Sequence, residues 1–260
     1  MDLAKFISMM MTQSLRFVRL DHLGDPFEGY PPVSQFGLTE ANWEAVRDFL
    51  ASGFETVEEF IQRLQSLPEA KRGTAIVEFQ ERGSDGIRRA AMNLRQIRTL
   101  TKDYFVNCWH VNENESEAMW KLYLQGDQGI VLRSSVQRLI NSLAGYAPHV
   151  HIGKVKYVDH FTSEVAVNNF FEFALLKRRS LEHERELRAV IWGRPLRFQN
   201  TITDCDVGIN AACCLDTLIE EIRVAPTAKD WFLEIVRSVS QAYRFGFSVQ
   251  PSYLARPPIW

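Results

Sequence analysis

Glu184, Glu186 and Arg188 stand at alternate positions in the stretch LEHERELRAVIW, residues Leu181 to Trp192, just ahead of an apolar run. Alternate side chains of a β-strand share a face, so this spacing predicts two carboxylates and a guanidinium pointing one way. The run itself is apolar on both parities, as in a central strand covered on both faces. A charge carried onto such a strand is either paired or set in a pocket, because an isolated buried carboxylate is expensive. Lys177, Arg178 and Arg179 lie just upstream as counter-charges. In a cleft, the glutamates have the chemistry of a general base or of a stabiliser for a developing cation. On that footing Glu186→Gln is expected to abolish activity while moving the melting temperature by only a few degrees. On a half-exposed strand the same three residues form cross-strand ion pairs and nothing more.

Two other stretches carry candidate groups. In NCWHVNENESEAMWKLY a strand ending at Trp109 and His110 feeds an Asn- and Glu-rich loop and then a helix. Asn114 and Glu117 have capping-box spacing, and the free N–H groups of a helix start suit a ligand. His110 and Glu115 are the candidate reactive groups there; the plainer role for the acids is to favour the helix dipole. In GDPFEG, Asp25 and Glu28 sit between two glycines with Pro26 restraining the backbone, which is turn chemistry or a rigid acidic loop entering a cleft. A basic helix face, Arg88, Arg95, Arg98 and Lys102, reads as a solvated surface.

The elements that must position these groups follow from periodicity. A helix is expected over about Leu3 to Met11, then a strand in SLRFVRL with Leu15, Phe17 and Leu20 in the core. A helical insertion is expected over about 39–100, after the first strand. Beyond it strands and helices alternate: strands in DYFVNCWH, GIVLRS, HVHIGKVKYVD, ERELRAVIW, LIEEIRVAP and FSVQPS, helices in NESEAMWKLYLQ, SVQRLINSLAG, EVAVNNFFEFALLK and AKDWFLEIVRSVSQAYRF. The expected class is α+β (mixed α/β), a single domain over 1–260 with a central mixed sheet flanked by helices.

Composition excludes several functions. With 46% hydrophobic and 24% charged residues and a formal net charge of -2, the chain has no general affinity for nucleic acid or anionic membrane. LAKFISMMMTQSL is broken by Lys5, Ser8, Thr12 and Gln13, is too short to span a bilayer and lacks a cleavage pattern, so a soluble cytoplasmic protein is expected. Cys108, Cys205, Cys213 and Cys214 fit no zinc or redox spacing and are expected to be reduced and mostly buried. GxGxxG, P-loop, GxSxG and HExxH patterns do not occur.

In this order the segments resemble the bacterial family catalogued as domain of unknown function 2971. The resemblance rests on DPFEG (Asp25 to Gly29), on Cys108–Trp109 followed by Met119, Trp120 and Tyr123, on GIVLRSS, and on Lys177 preceding Glu184, Glu186 and Arg188. It spans about Ser14 to Pro226, with Leu181 where the family carries an aromatic residue. It implies no established activity; a role in bacterial conflict or defence would suit such a family. A weaker resemblance is to arginine-specific ADP-ribosyltransferases, which order an Arg on the first strand, a Ser-containing strand and then ExE. Arg16 or Arg19, Ser134 and Ser135, and Glu184 and Glu186 follow that order, without the family's Ser-Thr-Ser triplet. It implies NAD as the bound cofactor. The arginine would hold the diphosphate, a serine the ribose, and Glu186 the oxocarbenium ion as nicotinamide leaves.

Three functions are therefore expected as alternatives. The first is an enzyme acting on a nucleotide-like or phosphorylated ligand, sharpest as NAD cleavage or ADP-ribosyl transfer. Its cleft combines Glu184, Glu186, His110 and Glu115 with Arg16, Arg19, Asp25, Glu28, Trp109, Ser134, Ser135, Lys177 and Arg188. The second is metal-dependent phosphodiester hydrolysis, with Asp25, Glu28, Glu115 and Glu184 as oxygen donors for magnesium or manganese. The third is a non-catalytic ligand-sensing or partner-binding module whose charges are structural ion pairs.

Overall fold

Large apolar side chains at Leu15 and Phe17 alternate with polar ones in SLRFVR, and this pattern makes β1 (Ser14–Arg19), with Leu15 and Phe17 only 4% and 0% exposed. The computed structural model describes residues 1–36, 96–124, 126–167 and 169–256, with positions 58, 59, 62, 66, 92 and 93. Most of the insertion expected over about 39–100 lies outside the described residues; positions 96–100 are helical.

The remaining strands are β2 (Tyr104–His110), β3 (Ile130–Arg133), β4 (Val150–Lys154), β5 (Lys156–Val158), β6 (Leu176–Arg178), β7 (Glu186–Trp192), β8 (Gly208–Ala212), β9 (Glu221–Val224) and β10 (Ser248–Pro251). Besides the helical positions before β2, the α-helices among the described residues are α1 (Leu3–Thr12), α2 (Glu117–Tyr123), α3 (Val136–Ser142), α4 (Arg194–Phe198), α5 (Leu215–Leu218) and α6 (Asp230–Ala242). A five-stranded antiparallel sheet runs β4-β7-β2-β1-β8, a three-stranded mixed sheet runs β10-β9-β3, and β5 pairs in parallel with β6. The class is α+β.

The large sheet has two unlike faces. On one, Leu15, Phe17, Phe105, Leu187, Ala189 and Ile191 join Phe6 and Met10 of α1, Phe232 and Val236 of α6, and Ile222 of β9 in the main core. On the other, Leu20, Tyr104, Val106, Ala174 and Val190 make a smaller cluster. The register pairs Val106 with Val190, Cys108 with Arg188 and His110 with Glu186, so beyond the small cluster this second face turns from apolar to charged.

Three local expectations change. No α-helix forms over EVAVNNFFEFALLK; Asn169 accepts a hydrogen bond from Phe171 N at 3.0 Å and starts a 3-10 helix, Phe170–Leu175, that runs into β6. Its three-residue period puts Phe171 and Ala174 together on the small cluster. Helix α2 is capped by Ser116, which accepts from Met119 N, and not by Asn114. Glu184 precedes β7 and ends a 3-10 helix, Arg179–Glu184. Strand β8 and helix α4, for which GINAA and RPLRF carry weak signals, complete the sheet edge and the core.

Phe105 is wholly buried against the main core. Phe105→Ala is expected to lower stability by about 3–5 kcal/mol, read as a lower urea midpoint with an unchanged slope.

Candidate functional site

The acidic loop is built to deliver one carboxylate. Asp25 Oδ1 accepts from Phe27 N at 3.2 Å, closing an Asx turn, and the Asp25 carboxylate grips Arg178 through contacts of 2.7 and 3.0 Å. Gly29 follows at φ +76, where an added Cβ would lie 2.6 Å from a Leu20 methyl and 3.0 Å from a Thr101 methyl. The glycine lets the chain turn tightly, and Glu28, 4% exposed, is left pointing at β6 and β7.

There it meets a buried charge cluster. Lys177 Nζ lies 2.8 Å from Glu184 Oε2, 2.7 Å from Glu186 Oε1 and 3.4 Å from Glu28 Oε1. Arg188, 0% exposed, donates from Nε to Glu186 Oε2 at 2.7 Å and from Nη1 to the Ala174 carbonyl at 2.9 Å. Its Nη2 lies 2.8 Å from Glu28 Oε2 without hydrogen-bond alignment. Tyr123 donates to Glu184 Oε2 at 2.9 Å, and the Glu184 carbonyl lies 2.6 Å from His110 Nδ1. Three carboxylates thus face two cations.

The excess charge is not shared evenly. Burial opposes ionisation of Glu186, but Arg188, the Glu184 carboxyl and Lys177 outweigh it and hold the pKa down at about 2. At Glu28 burial prevails over Arg188 and Lys177 and pushes the pKa up. Burial works against the Lys177 charge too, but its carboxylate neighbours win and the pKa rises. Neighbouring charge therefore favours the anion at Glu186, and burial favours the neutral form at Glu28.

Glu186 also lines a cleft of about 530 Å³ together with Glu113, Asn114, Lys154, Tyr157 and Arg185. Arg185 has a left-handed backbone (φ 43, ψ 54), a costly geometry for a non-glycine residue, between the 3-10 helix and β7. Among the described residues neither Lys154 nor Arg185 has an ion-pair partner. The cleft thus sets two exposed cations, Lys154 and Arg185, beside the buried Glu186 and the exposed Glu113.

The candidates from the sequence divide accordingly. Glu28, Lys177, Glu184, Glu186 and Arg188 come together, with His110 against them; Asp25 pins the loop from its side. Glu115 instead meets Arg223, Ser252 and the Tyr253 N–H at the end of β9 and β10. Arg19 is held by Asp21 and by the carbonyls of Asp204 and Asp206, and exposed Arg16 reaches Asn210. Ser134 donates to the Leu218 carbonyl and Ser135 caps α3, while Trp109 packs on the main-core face. Of the four proposed metal donors, Asp25 and Glu115 face other partners. Among the described residues no group of three or more His, Cys, Asp or Glu side chains is disposed to hold a metal ion. Lys177 and Arg188 stand between Glu28, Glu184 and Glu186 where such an ion would sit.

Sequence reasoning missed Tyr157, Lys154 and Arg185, whose types carry no signal until β5 folds back over Glu186. All four cysteines are free, but only Cys213 is buried, against the expectation of mostly buried thiols. Cys108 opens onto the charged face of β2, opposite Arg188 of β7. No described helix is long and apolar enough to cross a membrane. No protein-family model, curated protein or solved structure matches the chain.

Because folding depresses the Glu186 pKa, its stabilising effect is complete above the usual glutamate value of 4.5 and is lost as pH falls toward about 2. Glu28 has the opposite sign: its raised pKa favours folding at low pH, and that contribution fades as pH rises through the folded value. Glu186→Gln is expected to lower stability at pH 7 on the order of 3 kcal/mol, more than the few degrees of melting expected from sequence, with the deficit shrinking below pH 4.5. Glu28→Gln is expected to be the milder change at pH 7. Urea titrations of both variants at pH 7 and pH 3 check the order.

Proposed function

We propose that the chain is an enzyme acting on a nucleotide-like, phosphate-bearing ligand in the cleft beside Glu186, most specifically by cleaving NAD or transferring its ADP-ribosyl group. The observation that carries this reading is a buried glutamate at one wall of a cleft that also presents two cations, Lys154 and Arg185, without an ion-pair partner among the described residues. Cations so placed suit phosphate oxygens. They take the part that the ADP-ribosyltransferase resemblance gave to Arg16 or Arg19.

The charge state of Glu186 suits this chemistry. When the bond between nicotinamide and ribose breaks, the electron pair leaves with the ring nitrogen, which becomes neutral and needs no proton. The positive charge moves to the ribose. What is required beside it is a fixed anion that does not protonate, and a carboxylate with a pKa near 2 is one. Attack by water or another nucleophile on the ribose then completes the reaction, the nucleophile's proton passing to solvent. The free cysteines fit the proposed cytoplasmic setting, and a defence role remains part of the proposal.

One observation favours the non-catalytic alternative. Lys177 and Arg188 already engage both oxygens of Glu186, which weakens its pull on a substrate cation. In that case the cleft senses a nucleotide without turning it over.

Thermal shift against NAD, ADP-ribose and magnesium, with chromatographic assay of released nicotinamide, tests the reading. NAD at a hundred times its dissociation constant is expected to stabilise the fold by about 2.7 kcal/mol and to be consumed, and the Lys154→Ala, Arg185→Ala double variant to lose both effects. Stabilisation without nicotinamide release selects the sensing module. A shift with magnesium alone returns the metal-dependent reading, and no shift with any nucleotide overturns the proposal.

A further inference from the structure

Tyr157 sits where the chain leaves the large sheet. Strand β4 ends at Lys154, Val155 N still donates to the Glu186 carbonyl at 2.9 Å, and β5 then swings across to pair with β6. This crossing brings the Tyr157 hydroxyl over the start of β7, where its oxygen accepts the Glu186 N–H at 2.8 Å. A phenol oxygen that accepts a hydrogen bond still has its own proton to give. Among the described residues none accepts it, and Tyr157 lines the cleft with Glu186, Lys154 and Arg185. The backbone contact fixes the ring, so the donor is oriented before any ligand arrives.

We infer that Tyr157 is a specificity-determining residue that donates its hydroxyl proton to a sugar oxygen of the ligand, making the cleft selective for a phosphorylated sugar over phosphate alone. The inference rests on the nucleotide reading of the same cleft. Lys154 and Arg185 hold the phosphates, Tyr157 reads the adjoining sugar, and Glu186 faces its anomeric carbon.

Calorimetric titration with ADP-ribose and with inorganic pyrophosphate separates the two contributions. Tyr157→Phe is expected to weaken ADP-ribose binding about tenfold and to leave pyrophosphate binding within about twofold. If the variant binds ADP-ribose as tightly as the parent, or loses both ligands equally, the role of Tyr157 is overturned while the nucleotide reading stands. If the parent protein binds neither ligand, the nucleotide reading fails and this inference fails with it. Should Tyr157→Phe not fold, the protein labelled with 3-fluorotyrosine at position 157 decides. Its fluorine resonance is expected to move with ADP-ribose and not with pyrophosphate, and a resonance indifferent to ADP-ribose overturns the assignment.

Discussion

The burial of the Arg188 guanidinium constrains everything around it. Among the described residues it is the largest side chain removed fully from water, and a charge there must be matched on nearly every side. The match comes from three separate segments: Glu28 from the loop after β1, the Ala174 carbonyl from the 3-10 helix before β6, and Glu186 from its own strand, while Lys177 bridges the carboxylates. A buried ion cluster adds little net stability compared with apolar packing, yet removing one member is costly. Such a cluster therefore acts mainly as a register: the acidic loop, β6 and β7 satisfy it in one arrangement.

That arrangement also divides the labour among similar side chains. Glu28 and Glu186 are both glutamates more than nine-tenths buried, yet burial wins at one and neighbouring charge at the other. The difference lies in contact geometry. Glu186 receives aligned hydrogen bonds from both cations, whereas Glu28 meets Lys177 at 3.4 Å and Arg188 without alignment. Arg185 joins the scheme through backbone geometry. Its left-handed conformation ends one helical turn and starts β7, which lets Glu184 reach Lys177 while Arg185 turns to the cleft.

Legibility in the sequence followed the range of the interactions. Leu15, Phe17 and Leu20 were readable because burial of an alternating pattern is local physics. The clustering of Glu184, Glu186, Arg188 and Lys177 was suggested by charges set against an apolar run, although pleat parity was the wrong route to Glu184. Arg19, Glu115, Ser134 and Ser135 have the right chemical types for a nucleotide site, but the first three are engaged by partners distant in sequence and Ser135 caps its own helix. Lys154 and Tyr157 lie in HVHIGKVKYVD, which reads as one continuous strand, and only the crossing from β4 to β5 gives them a place beside Glu186.

By itself the sequence determined the class of fold, the position of most strands and the presence of acids and bases too close to an apolar strand to be ordinary surface. Those properties depend on side-chain periodicity and on the cost of burying charge, which act over a few residues. Tertiary structure alone decided which cations neutralise which carboxylates, and that neighbouring charge lowers the Glu186 pKa while burial raises that of Glu28. It also decided that the cleft opens toward Lys154, Tyr157 and Arg185. Ionisation and access depend on distances between segments, and those distances exist only once the chain has folded.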